Sequence, residues 1–195
     1  GPLGFQTAML TKAEHTSISQ AQSLQLSCTK VPHVLNVGHQ GWITLSNVAR
    51  ETGKRSSRFG SKHALSLSEQ YNTSLSFFRI GETTYYKRID SRLGQLKPDK
   101  RIAGSEQMIT SMRELLQLID PETVVPCAFA HGDYTPWNMY ELNNSVGLYD
   151  FELAHRQAPV MYDLFHFYKQ DGILVRKQSF QQILSGIEQE LKRPV

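Results

Sequence analysis

Within HGDYTPWN, residues 131–138, His131 precedes Asp133 by two positions and Asn138 follows it by five. A second aspartate, Asp150, lies beyond two short runs, NMYEL and VGLYDFEL, separated by the turn-forming NNS. Phosphoryl transfer asks for little covalent work from a protein. It needs a carboxylate to orient or deprotonate the acceptor hydroxyl, and oxygen ligands for a metal ion that bridges nucleotide phosphates. If residues 138–153 fold as a β-hairpin, the turn returns Asp150 to the level of Asn138, and the two can share one cation. Hard oxygen ligands of this kind suit Mg²⁺, which keeps several waters and takes few protein groups.

Each of these residues also has a plainer reading. Asp and Asn are favoured in turns for local hydrogen-bonding reasons. Pro136 and Trp137 fit turn and packing roles, and His155 and His166 read as ordinary surface or core histidines. Glu152 is either an additional carboxylate near the metal or the solvated end of a strand.

The elements that must position these groups are read from periodicity and breakers. A helix is expected over 11–26, which lacks Pro and Gly, and Pro32 then fixes a turn. HVLNVG and GWITLSNV predict two paired strands around 33–48, followed by a charged loop at 51–61 and a helix over 61–73. SLSFFRI and TTYYKRI fit either a hairpin or parts of helices. Over 104–119, Met108, Met112, Leu115, Leu116 and Ile119 recur at helical spacing, with Ser105 as N-cap and Pro121 beyond the end. TVVPCAFA runs apolar into the polar cluster, and two helices, PVMYDLFHFYKQ and KQSFQQILSGIEQELK, close the sequence. GPLG at 1–4 has the look of a cleaved tag and is set aside from fold reasoning.

Composition narrows the field. The 195 residues carry a net charge of +3, with basic residues dispersed except in GKRSSRFGSK at 53–62, which argues against a dedicated nucleic-acid binder. Cys28 and Cys127 stand far apart without zinc-ligand spacing or a disulfide framework, so a reducing, cytoplasmic setting is expected. No run is long and apolar enough to span a membrane.

HGDYTPWN followed by LYDFELAHRQAPVMYDLFHF resembles the aminoglycoside phosphotransferase and choline kinase group of the protein-kinase-like superfamily, over about 35 contiguous residues. The resemblance implies an α+β, protein-kinase-like fold: a mostly helical C-lobe over 51–195 carrying a catalytic β-hairpin, and a reduced N-lobe over 5–50 of one helix and two strands leading to a hinge. It implies ATP and Mg²⁺, and a small-molecule hydroxyl acceptor: a sugar, an amino alcohol, an aminoglycoside or a glycolipid precursor. Asp133 is then the catalytic carboxylate and Asn138 and Asp150 the metal ligands. His131, Asp163 and, less directly, Glu152 support the loop. VPHVLNVG resembles the segment that follows the family's acidic helix, which makes Glu14 the helix carboxylate. GWITLSNV leads into the hinge SNVAR, where Asn47 and Val48 would meet the nucleotide.

The Gly-rich loop and strand Lys that normally hold the phosphates have no counterpart here, so Glu14 would lack its ion-pair partner. Two other classes follow. One is a kinase-like interaction or regulatory module with an incomplete nucleotide site. The other is a metal-dependent phosphohydrolase with His131 and Asp133 as direct ligands, which would need further His and Asp ligands at matching spacing.

Overall fold

The computed structural model describes residues 2–38, 42–48 and 53–192, with side chains from residue 12 onward. The architecture is α+β, with several small sheets and more helix than strand. Helix α1 (Pro2–Ser23) begins earlier than expected and takes in residues set aside as a tag. It leads through β1 (Thr29–Lys30) to the antiparallel pair β2 (Val34–Gly38) and β3 (Trp42–Leu45), the hairpin expected around 33–48.

After β4 (Lys54–Arg55) and α2 (Ser61–Ser74), the ambiguous stretch resolves into two unlike elements: SFFR is strand β5 (Ser76–Arg79) and TYYKRIDSRLGQ is helix α3 (Thr84–Gln95). The strand is decided at long range, by pairing with β6 (Val124–Ala130) in the register Ser76↔Cys127 to Arg79↔Val124. The helix is decided locally, by Thr83, whose side chain accepts the Tyr86 N–H as an N-cap.

Helix α4 (Ser105–Gln117) forms where expected, with two corrections. Its N-cap is Gly104, in the left-handed conformation, because the Ser105 hydroxyl is engaged with the Asp99 backbone N–H and carbonyl instead. The apolar stripe also faces outward. Met108, Met112, Leu115 and Ile119 are exposed and Ile109 is the buried apolar residue, since α4 meets α3 over a narrow strip where Arg113 donates to the Leu93 and Leu96 carbonyls.

Strands β7 (Met139–Glu141) and β8 (Val146–Leu148) form the expected hairpin, with Met139 opposite Leu148 and Glu141 opposite Val146. It sits centrally in a four-stranded sheet, order β1-β8-β7-β4. A second sheet, β5-β6-β9, is completed by β9 (His155–Pro159), which the polar sequence HRQAP did not announce. Helix α5 (Tyr162–Gln170), a wide turn at Asp171–Val175 and helix α6 (Phe180–Leu191) end the described chain.

One apolar core joins these parts. Ile18 and Ala21 of α1, Leu67 of α2, Phe129 of β6, Met139, Val146 and Leu148 of the hairpin, and Leu164 and Phe167 of α5 pack together around Tyr134 and Phe151. Both residues flank the polar cluster in sequence. The side chains that bound the site are therefore anchored in the best-packed region of the molecule.

Candidate active site

The loop after β6 is held from beneath by a single buried carboxylate. Asp163, fully buried in the first turn of α5, accepts the His131 N–H at 2.7 Å and the Gly132 N–H at 3.0 Å. Burial pushes its carboxyl up to about 6, with the two amides acting in the opposite direction. Gly132 has φ +85° and faces the Leu153 carbonyl so closely that no side chain fits. The loop therefore lies against the segment that follows Asp150.

His131 is fully buried, with Nε2 donating to the Tyr149 carbonyl at 2.7 Å and its ring edge-on to Phe151 at 4.5 Å. Burial lowers its pKa to about 4, so it is neutral near pH 7. It is a structural pin between the loop and the hairpin's exit. Its Nδ1 is buried and unpartnered, but no group of three His, Cys, Asp or Glu side chains among the described residues is placed to hold a metal with it, which weakens the phosphohydrolase alternative.

Asp133 is half-buried, and both of its oxygens are engaged: Oδ2 accepts from Asn138 Nδ2 at 2.8 Å, and Oδ1 from His166 Nε2 at 2.9 Å. The His166 hydrogen bond, more than any other contact, holds the Asp133 carboxyl below the usual carboxylate range against the opposing effect of burial. Asp133 is thus an aimed and ionised carboxylate at neutral pH.

Asn138 closes a single 3₁₀ turn, Pro136–Asn138, and its carbonyl accepts the Tyr149 N–H at 2.9 Å, extending the hairpin by one pair. Asp150 comes next on the opposite strand. Among the described residues it is one of four non-glycine residues with positive φ, at +63°. A β-carbon in this region is sterically costly and is retained where surroundings impose it, commonly at functional sites. Burial and then the negative charge of Asp133 raise the Asp150 carboxyl, while the Glu152 N–H works the other way. The Glu152 side chain itself is exposed.

Two carboxylates that repel one another, beside an asparagine whose Nδ2 is already used, leave an arrangement suited to a divalent cation. The donors would be Asp150 and the Asn138 amide oxygen, which accepts no hydrogen bond among the described residues. No group of three His, Cys, Asp or Glu side chains among the described residues is placed to hold a metal. A closed zinc site is therefore not formed by them. An oxygen-only set of few protein ligands fits Mg²⁺, whose remaining positions go to water and phosphate.

The residues expected to meet the nucleotide lie next to this centre. Glu14 of α1 is half-buried, and its carboxylate accepts the Phe151 N–H. Burial, followed by the Asp150 charge, raises its carboxyl. Among the described residues no ion pair is formed by it. Asn47 accepts a hydrogen bond from the Tyr149 hydroxyl at 2.7 Å, and Val48 abuts Gly147 so tightly that a β-carbon there would stand 3.0 Å from its methyl group. These two residues touch the backbone and side chain just ahead of Asp150. Ala49 and Arg50, the rest of the expected hinge, lie outside the described residues.

His166 is the residue whose part sequence reasoning missed. Asp163 and His166 are three apart on α5 and so share a helix face, one holding the loop's backbone and the other its carboxylate. The signal was present in DLFHF, but only once Asp163 was known to sit beneath the loop. His166 also stacks on Tyr162 at 5.9 Å. Tyr162 meets Tyr85 at 5.3 Å and His155 at 6.2 Å, forming an aromatic wall leading away from Asp133.

Searches against family models, curated proteins and solved structures return no match for this chain.

Proposed function

We propose that the chain is a phosphotransferase of kinase-like fold that moves the γ-phosphoryl group of ATP to a hydroxyl of a small molecule. The observation that carries this reading is the Asp133 carboxylate, ionised and held between Asn138 and His166, beside an Asp150 whose backbone is forced into the left-handed region. Asp133 would orient the acceptor hydroxyl and take its proton as the acceptor oxygen bonds to phosphorus; the bond broken joins that phosphorus to the oxygen that leaves with ADP. Asp150 and Asn138 would hold Mg²⁺, which when bound supplies charge neutralisation for the phosphates. Glu14, on the Phe151 N–H, and Asn47, on the Tyr149 hydroxyl, would position the chain on either side of Asp150.

The second reading, a kinase-like module that does not turn over, is favoured by Glu14, which has no cation partner among the described residues. Thermal melting with millimolar Mg-ATP separates the two, because a ligand that binds the folded state alone raises stability by RT ln(1 + [L]/Kd). The enzyme reading expects a Mg²⁺-dependent rise that Asp150→Asn reduces, together with ADP formation that depends on an added acceptor. No rise with Mg-ATP in the native chain would overturn it.

A further inference from the structure

On the proposed phosphotransferase reading, the geometry points to an acceptor that carries an anionic group, a carboxylate or a phosphate, bound by Arg88 and Arg92 at the far end of the aromatic wall from Asp133. Tyr85, Arg88 and Arg92 fall at helical spacing on the face of α3 that packs against β9. An Arg88 guanidinium N–H donates to His155 Nε2 at 3.2 Å, His155 packs on Tyr85 and Tyr162, and Tyr162 stacks on His166, the partner of Asp133. Tyr162 lies near enough to both Arg88 and Asp133 to feel the charge of each.

Neither Arg88 nor Arg92 has a carboxylate partner among the described residues. Asp90, the acidic residue of α3, lines a different cavity, with Tyr86 and Arg113. Their field is felt locally: after burial, Arg88 and Arg92 are what lower the His155 pKa, to about 4. A cleft of about 800 Å³ opens at His155, lined also by Lys12, Arg156 and Thr84 and by no acidic side chain. Aromatic faces alone would suit a quaternary ammonium group. With Arg88 and a neutral histidine among them, a cation there is repelled, whereas an oxyanion gains charge-assisted hydrogen bonds from planar guanidinium groups.

The test uses the native chain with Mg-ATP and four three-carbon probes that differ in charge: glycerate, glycerol phosphate, glycerol and aminopropanediol. Turnover is read as kcat/KM, and binding in parallel as a shift in melting temperature. The expected result is a preference for glycerate or glycerol phosphate over aminopropanediol of about tenfold or more. That preference collapses in Arg88→Ala/Arg92→Ala and persists in Lys87→Ala, which removes an exposed charge from the same helix. Comparing glycerate with glycerol phosphate assigns the anion as carboxylate or phosphate. A preference for the cationic probe, or one untouched by the double substitution, overturns the inference. If no probe is phosphorylated, the transfer reading is in difficulty, and the anion site is judged by binding alone. Equal melting shifts for anionic and cationic probes, or shifts unchanged in the double variant, then overturn it.

Discussion

At the scale of single residues, the site is organised by which partner each carboxylate has. Asp133 has two donors and stays ionised, Asp163 has two backbone amides but is fully buried, and Asp150 has a like-charged neighbour. On the proposed phosphotransferase reading, replacing Asp133 with Asn keeps the volume and removes the base. Turnover is expected to fall by about 10²–10⁴, the range for general-base assistance, with folding unchanged by circular dichroism. Retained turnover in that variant would end the assignment. His166 acts through Asp133. Its removal in His166→Phe lets the Asp133 pKa rise, so the acidic limb of the kcat/KM profile moves to higher pH. His166→Gln, which keeps a donor, restores part of the shift; a purely structural role would leave the limb in place. Asp163→Ala strips two buried amides of their acceptor and is expected to cost about 2–4 kcal/mol in urea denaturation, counting roughly 1–2 per stranded group.

At the scale of elements, the hairpin β7–β8 and helix α6 were legible because local pattern and tertiary role agree in them. Where the two diverge, the sequence misleads. The stripe of α4 has helical spacing yet faces outward, and SFFR becomes a strand through a partner some fifty residues away. β9 carries His, Arg and Gln because it borders the site, and that polarity disguises it as a loop. The grouping of Asp133, Asn138 and Asp150 could be expected from type and spacing, whereas the contacts of His166 and Arg88 could not, since they depend on which faces of α5 and α3 turn inward. Gly132 tests the joint between loop and hairpin exit. Its φ is positive and its missing side chain is replaced by the Leu153 carbonyl, so Gly132→Ala must part the two segments. The expected outcome is a loss of at least about 2 kcal/mol from strain and steric conflict combined. Hydrogen exchange should rise over 131–138 and 150–155 together. Exchange confined to one of the two segments would separate what the structure joins.

At the scale of the whole molecule, buried titratable groups give stability a pH dependence of mixed sign. His131 and His155, both lowered to about 4 from the ordinary 6.5, and His63, lowered chiefly by burial, are neutral in the fold and protonated in the unfolded chain. For His131 and His155 the contribution is fully present above about 6.5 and is lost as pH falls toward about 4, and His63 acts in the same sense. Asp163 works the other way. Raised to about 6 from 3.8, it contributes fully below the unfolded value and loses that contribution as pH rises through about 6. Between about pH 4 and 6 the unfolded chain holds protons on His131 and His155 that the fold leaves largely neutral, with His63 acting in the same direction, while the fold holds one on Asp163. The unfolded state therefore binds more, and stability rises with pH. Each unit of proton difference contributes a slope of about 1.4 kcal/mol per pH unit. Asp163→Asn removes one opposing contribution, beside those of Asp150 and Glu14, whose carboxyls are also raised. Although that variant is less stable, its stability should climb more steeply with pH over this window than that of the native chain, as urea midpoints at pH 4.5, 5.2 and 6.0, about evenly spaced within it, would reveal. His131→Asn should flatten the same climb. Parallel curves for all three proteins would mean that these groups carry ordinary protonation, and that the loop is not held by a buried carboxylate beneath a neutral histidine.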